Sequence, residues 1–440
     1  MKSIILAAGK GTRMKSDFPK VMHKICEKPM INWVIDTASL VSEEVGVVLG
    51  HGIDKIKEII PQNIKVFEQK EQLGTGHAVM QCGDFMKSDD FLVLYGDVPL
   101  ISEKTLTELI KKHKEENNDA TLITVNTENP YGYGRIIRNG TKVKIVEHKD
   151  ADEEQLKIKE INSGIAVFKG DILHETLKLI RNDNVQGEYY LTDVFEKFEK
   201  TGILNIKDIT EVTGVNDRVQ LAMLEKKARE YINEKFMLSG VTIINPENTY
   251  ISPDAKIGND TVIYPDTYIN GKTEIGKKCI IGPGTSITEC IIGDGAKILK
   301  SECENSEIKS NASVGPWSRI RPGSSIGENV KIGNFVETKK TKIAKNSKAQ
   351  HLTYLGDATI GENVNIGAGT ITCNYDGKNK FKTSIGDESF VGSNSSLVAP
   401  VNIGKKSLIA AGSVITKDVP DYSLAFGRAK QVVKEDKYRK

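Results

Sequence analysis

The stretch Leu6-Ala7-Ala8-Gly9-Lys10-Gly11-Thr12-Arg13-Met14, followed by Pro19-Lys20, sets cations around a glycine-rich segment directly after an apolar run. Glycines there let backbone N–H groups approach a phosphate or a nucleobase without a Cβ in the way, and Arg13 and Lys20 add positive charge. That is chemistry for an anionic nucleotide. A dinucleotide fingerprint would need another glycine at Met14, and a Walker loop would need GxxxxGK[ST]; neither is present. Taken alone, the segment also fits a strand-to-helix turn with two solvated cations. Asp97 follows the apolar run from Phe91 to Tyr95. Its carboxylate is therefore expected at the C-terminal end of a buried strand, where open α/β sheets bind ligands. An aspartate after a strand is also an ordinary turn residue or helix cap. Of seven histidines only His351 lies beyond residue 174. Imidazole titrates near neutral pH and can act as a base, although a single histidine is more often a surface residue.

Two kinds of element must position these groups. The first 215 or so residues alternate short apolar runs with amphipathic stretches, the pattern of a Rossmann-like α/β domain with a mainly parallel sheet. Strands are expected at Ser3 to Ala7, Glu44 to Leu49, Phe91 to Tyr95 and Ala120 to Val125. A helix is expected between Asn216 and Gly240, with Gly240 as its stop. From Val241 onward, isoleucines recur every six residues: Ile251, Ile257, Ile263, Ile269, Ile275, Ile281 and Ile287, then Ile308 to Ile332 and Ile385 to Ile415 with Val or Leu in some places. Six steps on a helix rotate a side chain by roughly 240°, so such a row would spiral around the axis. On strands an even repeat keeps the row on one side, and that side must be a core. The reading is a parallel β-helix of hexapeptides. Glycines such as Gly258, Gly276, Gly327, Gly333 and Gly404 follow the apolar residue and suit a chain that bends once per repeat. The row breaks between Ile366 and Ile385, where a polar loop around Asn374 to Thr383 is expected to leave the solenoid. Clean hexads are also missing from Leu299 to Asn311. The expected division is residues 1–218, a helical linker at 219–240, and the β-helix at 241–440.

Leu6 to Lys20 resembles the signature of sugar-phosphate nucleotidyltransferases. Further pieces, Gln69-Lys70-Glu71-Gln72-Leu73-Gly74-Thr75-Gly76-His77, Tyr95-Gly96-Asp97-Val98-Pro99-Leu100, Gly132-Tyr133-Gly134-Arg135, Glu147-His148-Lys149 and Glu160-Ile161-Asn162-Ser163-Gly164, narrow the resemblance. They are similar to the bifunctional family of N-acetylglucosamine-1-phosphate uridylyltransferases and glucosamine-1-phosphate acetyltransferases. The run from His351 through Asn363 to Gly377 is similar to the acetyltransferase site of the same family, so the likeness spans both halves.

The resemblance implies a left-handed β-helix, UTP and acetyl-CoA as co-substrates, Mg²⁺ on Asp97 and Asn216, and a homotrimer with acetyltransferase sites between neighbouring solenoids. It places Leu6, Ala7, Ala8, Gly9, Lys20, Gln69, Gly74, Thr75, Tyr95, Gly96 and Asp97 at the nucleotide, with Gln69, Gly74 and Thr75 reading the uracil. Gly134, Glu147 and Asn162 correspond to contacts with the amino sugar. Arg13 and Lys20 neutralise charge on the reacting phosphates. In the second half it makes His351 the base, gives Arg321, Lys339, Tyr354 and Asn365 to the sugar phosphate, and gives Ala368, Asn374, Tyr375, Ser393, Ala411 and Arg428 to acetyl-CoA. Lys339 stands beside Lys340 and Lys342, and Arg428 sits in a basic tail, so each also reads as a solvated charge.

The balance of 61 Lys+Arg against 59 Asp+Glu, a net charge of +2, offers no global attraction for nucleic acid or an anionic membrane surface. The apolar run before Gly9 is too short for a signal peptide or a spanning helix, so a cytoplasmic protein without integral membrane contact is expected. Six cysteines form no CxxC pair and no metal-ligand cluster with histidine, which points to reduced structural thiols. Two other readings compete. A single-activity nucleotidyltransferase with a structural β-helix leaves His351 and Asn374-Tyr375 unexplained. An ice-binding β-helix lacks its threonine rows and leaves the first half without purpose.

Overall fold

The computed structural model describes residues 1–87, 90–435 and 437. The chain forms two compact units, Met1–Ala228 and Arg229–Lys440. One helix, Arg218–Leu238, runs through the boundary, and Gly240 behind it has φ +94°, a left-handed stop that glycine adopts without a Cβ clash.

The first unit is built on a sheet whose strands lie in the order Thr201–Ile206, Ala120–Asn126, Glu160–Phe168, Phe91–Tyr95, Lys2–Ala7, Glu44–Leu49 and Lys65–Glu68. All neighbours are parallel except Glu160–Phe168, which runs against both of its own. Strands covered on both faces read as unbroken apolar runs, and Phe91 to Leu94 are fully buried. Alternation divides them: Ile5, Leu92 and Leu94 pack into one core, Ile4, Phe91 and Val93 into the other. The two central strands, Lys2–Ala7 and Phe91–Tyr95, end side by side, and this delivers the glycine segment and Asp97 to one rim.

The second unit is a three-sided parallel β-helix. Two sides form one continuous ladder from Thr242–Ile243 to Leu424–Ala425, and the third is a nine-stranded ladder from Lys256–Ile257 to Val401–Ile403. The isoleucine row points inward, with Ile263, Ile269, Ile281, Ile287, Ile308, Ile320 and Ile326 fully buried. Through the stretch without clean hexads the row continues by shorter steps, because Cys303 takes an inward place between Ile287 and Ile320. Cys279, Cys290 and Cys303 are free and buried, and burial pushes their thiols up, away from the reactive thiolate.

The glycines after the inward residues do not make the bends. Their φ is not positive; the left-handed residues stand three places after the inward one, as at Asp260, Asn311, Asn329, Asn346 and Asn363. Asparagine and aspartate tolerate that conformation better than most residues. What requires glycine is the coil above: a Cβ on Gly258 would lie 2.7 Å from the carbonyl carbon of Gly276, and one on Gly327 would lie 2.6 Å from the Ile343 carbonyl oxygen. The small residue permits coils to stack.

Candidate functional site

At the sheet rim a cleft of about 280 Å³ is lined by Leu6, Ala7, Ala8, Gly9, Gly11, Lys20, Gln69, Gln72, Gly74, Thr75, Tyr95, Asp97 and Glu188. Gly96, between the lining residues Tyr95 and Asp97, donates its N–H to the Leu6 carbonyl at 3.0 Å. Gly11 has φ +61°, and a Cβ there would come 2.5 Å from Lys20 Cβ, so the loop lies directly on the lysine stem. Gln69 is buried; its amide nitrogen donates to the Gly74 carbonyl at 3.1 Å and lies 3.1 Å from His77 Nδ1. Thr75 Oγ1 accepts from the Leu191 N–H at 3.0 Å.

Charge converges beside this cleft. Lys20 Nζ is 2.5 Å from Asp97 Oδ2 and 3.0 Å from Asn216 Oδ1, and Arg13 donates to the same Asn216 oxygen at 2.8 Å. Asn216 reaches this point because the Val215 N–H bonds the Asp97 carbonyl at 2.9 Å, while its own N–H bonds Gln220 Oε1 at 2.7 Å. Oxygens from two distant segments thus face one cation.

The expected sugar residues also meet one another. The Asn162 N–H bonds the Gly134 carbonyl at 2.9 Å, and a Cβ on Gly134 would lie 3.5 Å from both carboxylate oxygens of Glu147. Tyr95 stands between the two groups; burial, with help from the Glu147 and Asp97 carboxylates, pushes its phenol pKa up. Burial likewise raises the Glu147 carboxyl, against a hydrogen bond from Thr192 Oγ1 at 3.1 Å. Tyr133, beside Gly134, has its phenol bonded to Thr213, three residues before Asn216. Sequence reasoning gave Tyr133 no role beyond its place in a motif and passed over Thr213.

Near this pocket the Asp193 carboxyl is pushed up to about 6, first by burial and then by Glu196 and Asp150. A folded pKa above the unfolded 3.8 means stability present below 3.8 is lost as pH rises through about 6. Asp193→Asn should therefore stabilise the protein above pH 6 by about 1 kcal/mol, a full two-unit shift discounted for a half-exposed group. The gain should vanish as the pH falls toward 4. Urea midpoints of parent and variant at several pH values check this; a pH-independent difference would defeat it.

In the β-helix the predicted residues form two groups. His351, Ala368, Ser393 and Ala411 each directly precede a left-handed residue of one corner, namely Leu352, Gly369, Asn394 and Gly412. Consecutive coils stack them: the Gly369 N–H bonds the His351 carbonyl, the Asn394 N–H the Ala368 carbonyl and the Gly412 N–H the Ser393 carbonyl. Arg428 joins the column by donating to the Ala411 carbonyl at 2.5 Å. Asn365 lies on the side before this corner, paired with Lys348 and Phe390.

The other group gathers at the next corner. Arg321 bonds Glu337 at 2.7 Å, and the Arg321 N–H bonds the Thr338 carbonyl next to Lys339. Lys339 is pulled below the usual lysine range, first by Lys380 and then by Arg321 and Lys340. Tyr354 lies on the intervening side, close enough for its phenol to be felt at Arg321. Asn374 Nδ2 donates to Asp357 Oδ2 at 2.6 Å, and Tyr375 bridges back to Lys380. Lys339 thus stands among further cations, of which Arg321 is paired with a carboxylate, Glu337. Lys380 was not legible in the sequence, where it is one lysine among Lys378, Lys380 and Lys382.

The loop exists because one coil is long. Ile257 pairs with Ile275, eighteen residues on, but Ile360 pairs with Ile385, twenty-five residues on, and the surplus carries Tyr375 and Lys380 outward while Asn374 stays buried at its root. His351 and the cationic corner thus lie at different corners of one solenoid.

A cleft at the rim of an α/β sheet, continued in the same chain by a hexapeptide β-helix, is the build of a two-domain transferase. Family patterns agree with that class. The MobA-like NTP transferase domain matches residues 3–155, the bacterial transferase hexapeptide matches 254–289 and 305–340, and the hexapeptide repeat of succinyl-transferase matches 382–417. Among curated relatives, the bifunctional protein GlmU of Thermosipho africanus is 60% identical over 438 residues, covering 99% of this chain and 96% of that protein. The GlmU proteins of Fervidobacterium nodosum and Clostridioides difficile are 58% and 52% identical, each alignment covering 99% of this chain and 96% of the relative. A solved UDP-glucose pyrophosphorylase complexed with UDP-glucose is 18% identical at a TM-score of 0.43, covering 52% of this chain and 98% of that one. The chain belongs to the bifunctional GlmU family. It is an enzyme of UDP-N-acetylglucosamine synthesis that joins a uridylyltransferase to a glucosamine-1-phosphate acetyltransferase.

Proposed function

We propose that Arg13, Lys20, Asp97 and Asn216 are the reacting end of the uridylyl-transfer site, a reading carried by their convergence on one point at the cleft. A phosphate oxygen of N-acetylglucosamine 1-phosphate attacks the α-phosphorus of UTP in line. A new P–O bond forms, the bond to the β-phosphate oxygen breaks, and pyrophosphate leaves with its electron pair. No proton-transfer residue is required. Arg13 and Lys20 offset the charge that builds on the phosphate oxygens, and the Leu6 to Gly11 segment lets the nucleotide approach the main chain. Gln69, Gly74 and Thr75 face the base, while Gly134, Glu147 and Asn162 hold the amino sugar, where a mismatched ligand would leave buried polar groups unpaired. Asp97 and Asn216 fit Mg²⁺: both offer hard oxygens, and both already point at one cation. Among the described residues no group of three or more His, Cys, Asp or Glu side chains could hold an ion alone, so substrate phosphates would complete the coordination. When bound, Mg²⁺ would neutralise charge on the phosphates and hold them in line.

In the second unit His351 takes the proton from the ammonium of glucosamine 1-phosphate. The freed amine attacks the acetyl carbonyl of acetyl-CoA, an N–C bond forms, the C–S bond breaks and the thiol departs. Arg321, Lys339 and Lys380 hold the phosphate, with Tyr354 and Asn365 on the sugar; the column Ala368, Ser393, Ala411 and Arg428, with Asn374 and Tyr375, takes the coenzyme. Separation of His351 from the cationic corner supports a site assembled between copies, as in a homotrimer. The exposed Trp317 and Phe335 rings, stacked 5.6 Å apart at the His351 corner, suit such an interface. No helix among the described residues is long and apolar enough to cross a membrane, and the substrates are those of the cytoplasm. The experiment supplies purified protein with glucosamine 1-phosphate, acetyl-CoA, UTP and Mg²⁺ and follows free thiol and pyrophosphate separately. Both should appear. Pyrophosphate formed only from pre-acetylated sugar would instead favour a single-activity nucleotidyltransferase with a structural β-helix.

A further inference from the structure

The geometry points to Lys20 as the resident cation of the metal site: in the free enzyme its ammonium fills the place between Asp97 and Asn216, and the arriving triphosphate draws it off. This rests on the reading of Asp97 and Asn216 as the Mg²⁺ pair. The ammonium touches both oxygens, at 2.5 Å and 3.0 Å, and it is largely shielded, with the lysine and aspartate side chains 14% and 23% exposed. Neither partner is loosely held. Asn216 Oδ1 also accepts from Arg13, and the neighbouring Val215 N–H is bonded to the Asp97 main chain, so both oxygens stay turned toward the same point.

A Mg²⁺–oxygen contact is about 2.0–2.1 Å. An ion so placed would sit among oxygens that Lys20 already holds, with one cation against another. The two states exclude each other. Mg²⁺ also sheds its water reluctantly and is bound through one or two protein oxygens plus substrate phosphates. Alone, it has little with which to displace a well-seated ammonium. A triphosphate changes that balance, since it brings the remaining ligands for the ion and a new anionic partner for the lysine. The lysine stem is four carbons long and flexible, so its head can pass from the carboxylate to a phosphate oxygen while the backbone stays in place. Lys20 thus has two successive duties: it keeps the pair of oxygens together in the empty site, then neutralises the nucleotide. The metal enters with the nucleotide, and the unloaded enzyme binds it weakly.

The test is Mn²⁺ binding to the full chain, followed by the EPR signal of the free ion, in the absence of nucleotide. Lys20→Met keeps the stem and removes the charge. It should bind Mn²⁺ on the order of ten-fold tighter than the parent, because the competent, vacated site is no longer a minor state, while uridylyl transfer falls. Retained acetyl transfer shows that the variant is folded. Asp97→Asn on top of Lys20→Met should abolish the gain, and a non-hydrolysable UTP analogue should close the gap between parent and Lys20→Met. Equal affinity in parent and Lys20→Met, lost in both with Asp97→Asn, would overturn the inference and leave the metal pair standing. Mn²⁺ binding indifferent to Asp97→Asn in every background, with and without the analogue, would overturn the metal pair itself.

Discussion

Arg13→Ala should lower uridylyl-transfer turnover by roughly 10²–10³-fold, the loss seen when one preorganised donor to a developing charge is removed. The guanidinium stands at the surface of a short turn, Thr12–Met14, and its bond goes to Asn216 Oδ1 at 2.8 Å. Exposed ion-type contacts add little to stability, so the fold should persist. Arg13 therefore has little to do in the resting protein beyond holding Asn216. Its contribution is expected where phosphate charge redistributes, so turnover should fall more than sugar affinity. Pyrophosphate release measures the effect, and thiol release from the same preparation serves as the internal control. Near-normal turnover would remove Arg13 from the mechanism.

His351→Ala is expected to cut acetyl transfer by about 10²–10⁴-fold, the range for a positioned acid or base. Uridylyl transfer from pre-acetylated sugar should be unchanged. The variant should fold, because the bonds at this position are made by the His351 carbonyl, which accepts from Thr353 Oγ1 at 2.7 Å and from the Gly369 N–H at 3.3 Å. The ring itself is exposed, free to serve a substrate laid along the corner. Thiol release reports the loss; a variant that still releases thiol at the parental rate would leave the amine to another base.

Much of this protein was legible because its periods are simple. The isoleucine row reported the solenoid, since a hexad keeps every apolar side chain on the inner face of a strand, and the nineteen-residue gap before Ile385 reported the extruded loop. The runs from Ile4 and from Phe91 reported central strands by the same logic. The purpose of the glycines was misread: they appear once per repeat, as bends would, yet it is the main chain of the next coil that excludes a Cβ from Gly258 and Gly327. Cys303 was missed as a core residue because a shortened step looks like a lost period until its pairing with Ile287 and Ile320 is seen. Asp97 and Asn216 could be related only through a resemblance, since nothing in their spacing says that Val215 bonds the Asp97 main chain.

By itself, the sequence determined what is local or periodic: a glycine loop after a strand, a carboxylate at a strand end, a hexad core and the place where that core gives way. Those follow from backbone geometry repeated residue by residue. Only the tertiary structure decided what depends on distance across the fold. It set Lys20 between Asp97 and Asn216, gathered Lys380 with Arg321 and Lys339, and put His351 at a different corner from that cluster. Each is a meeting of segments brought together by sheet order or coil stacking, and charge at such a point is a sum over neighbours that no stretch of sequence contains.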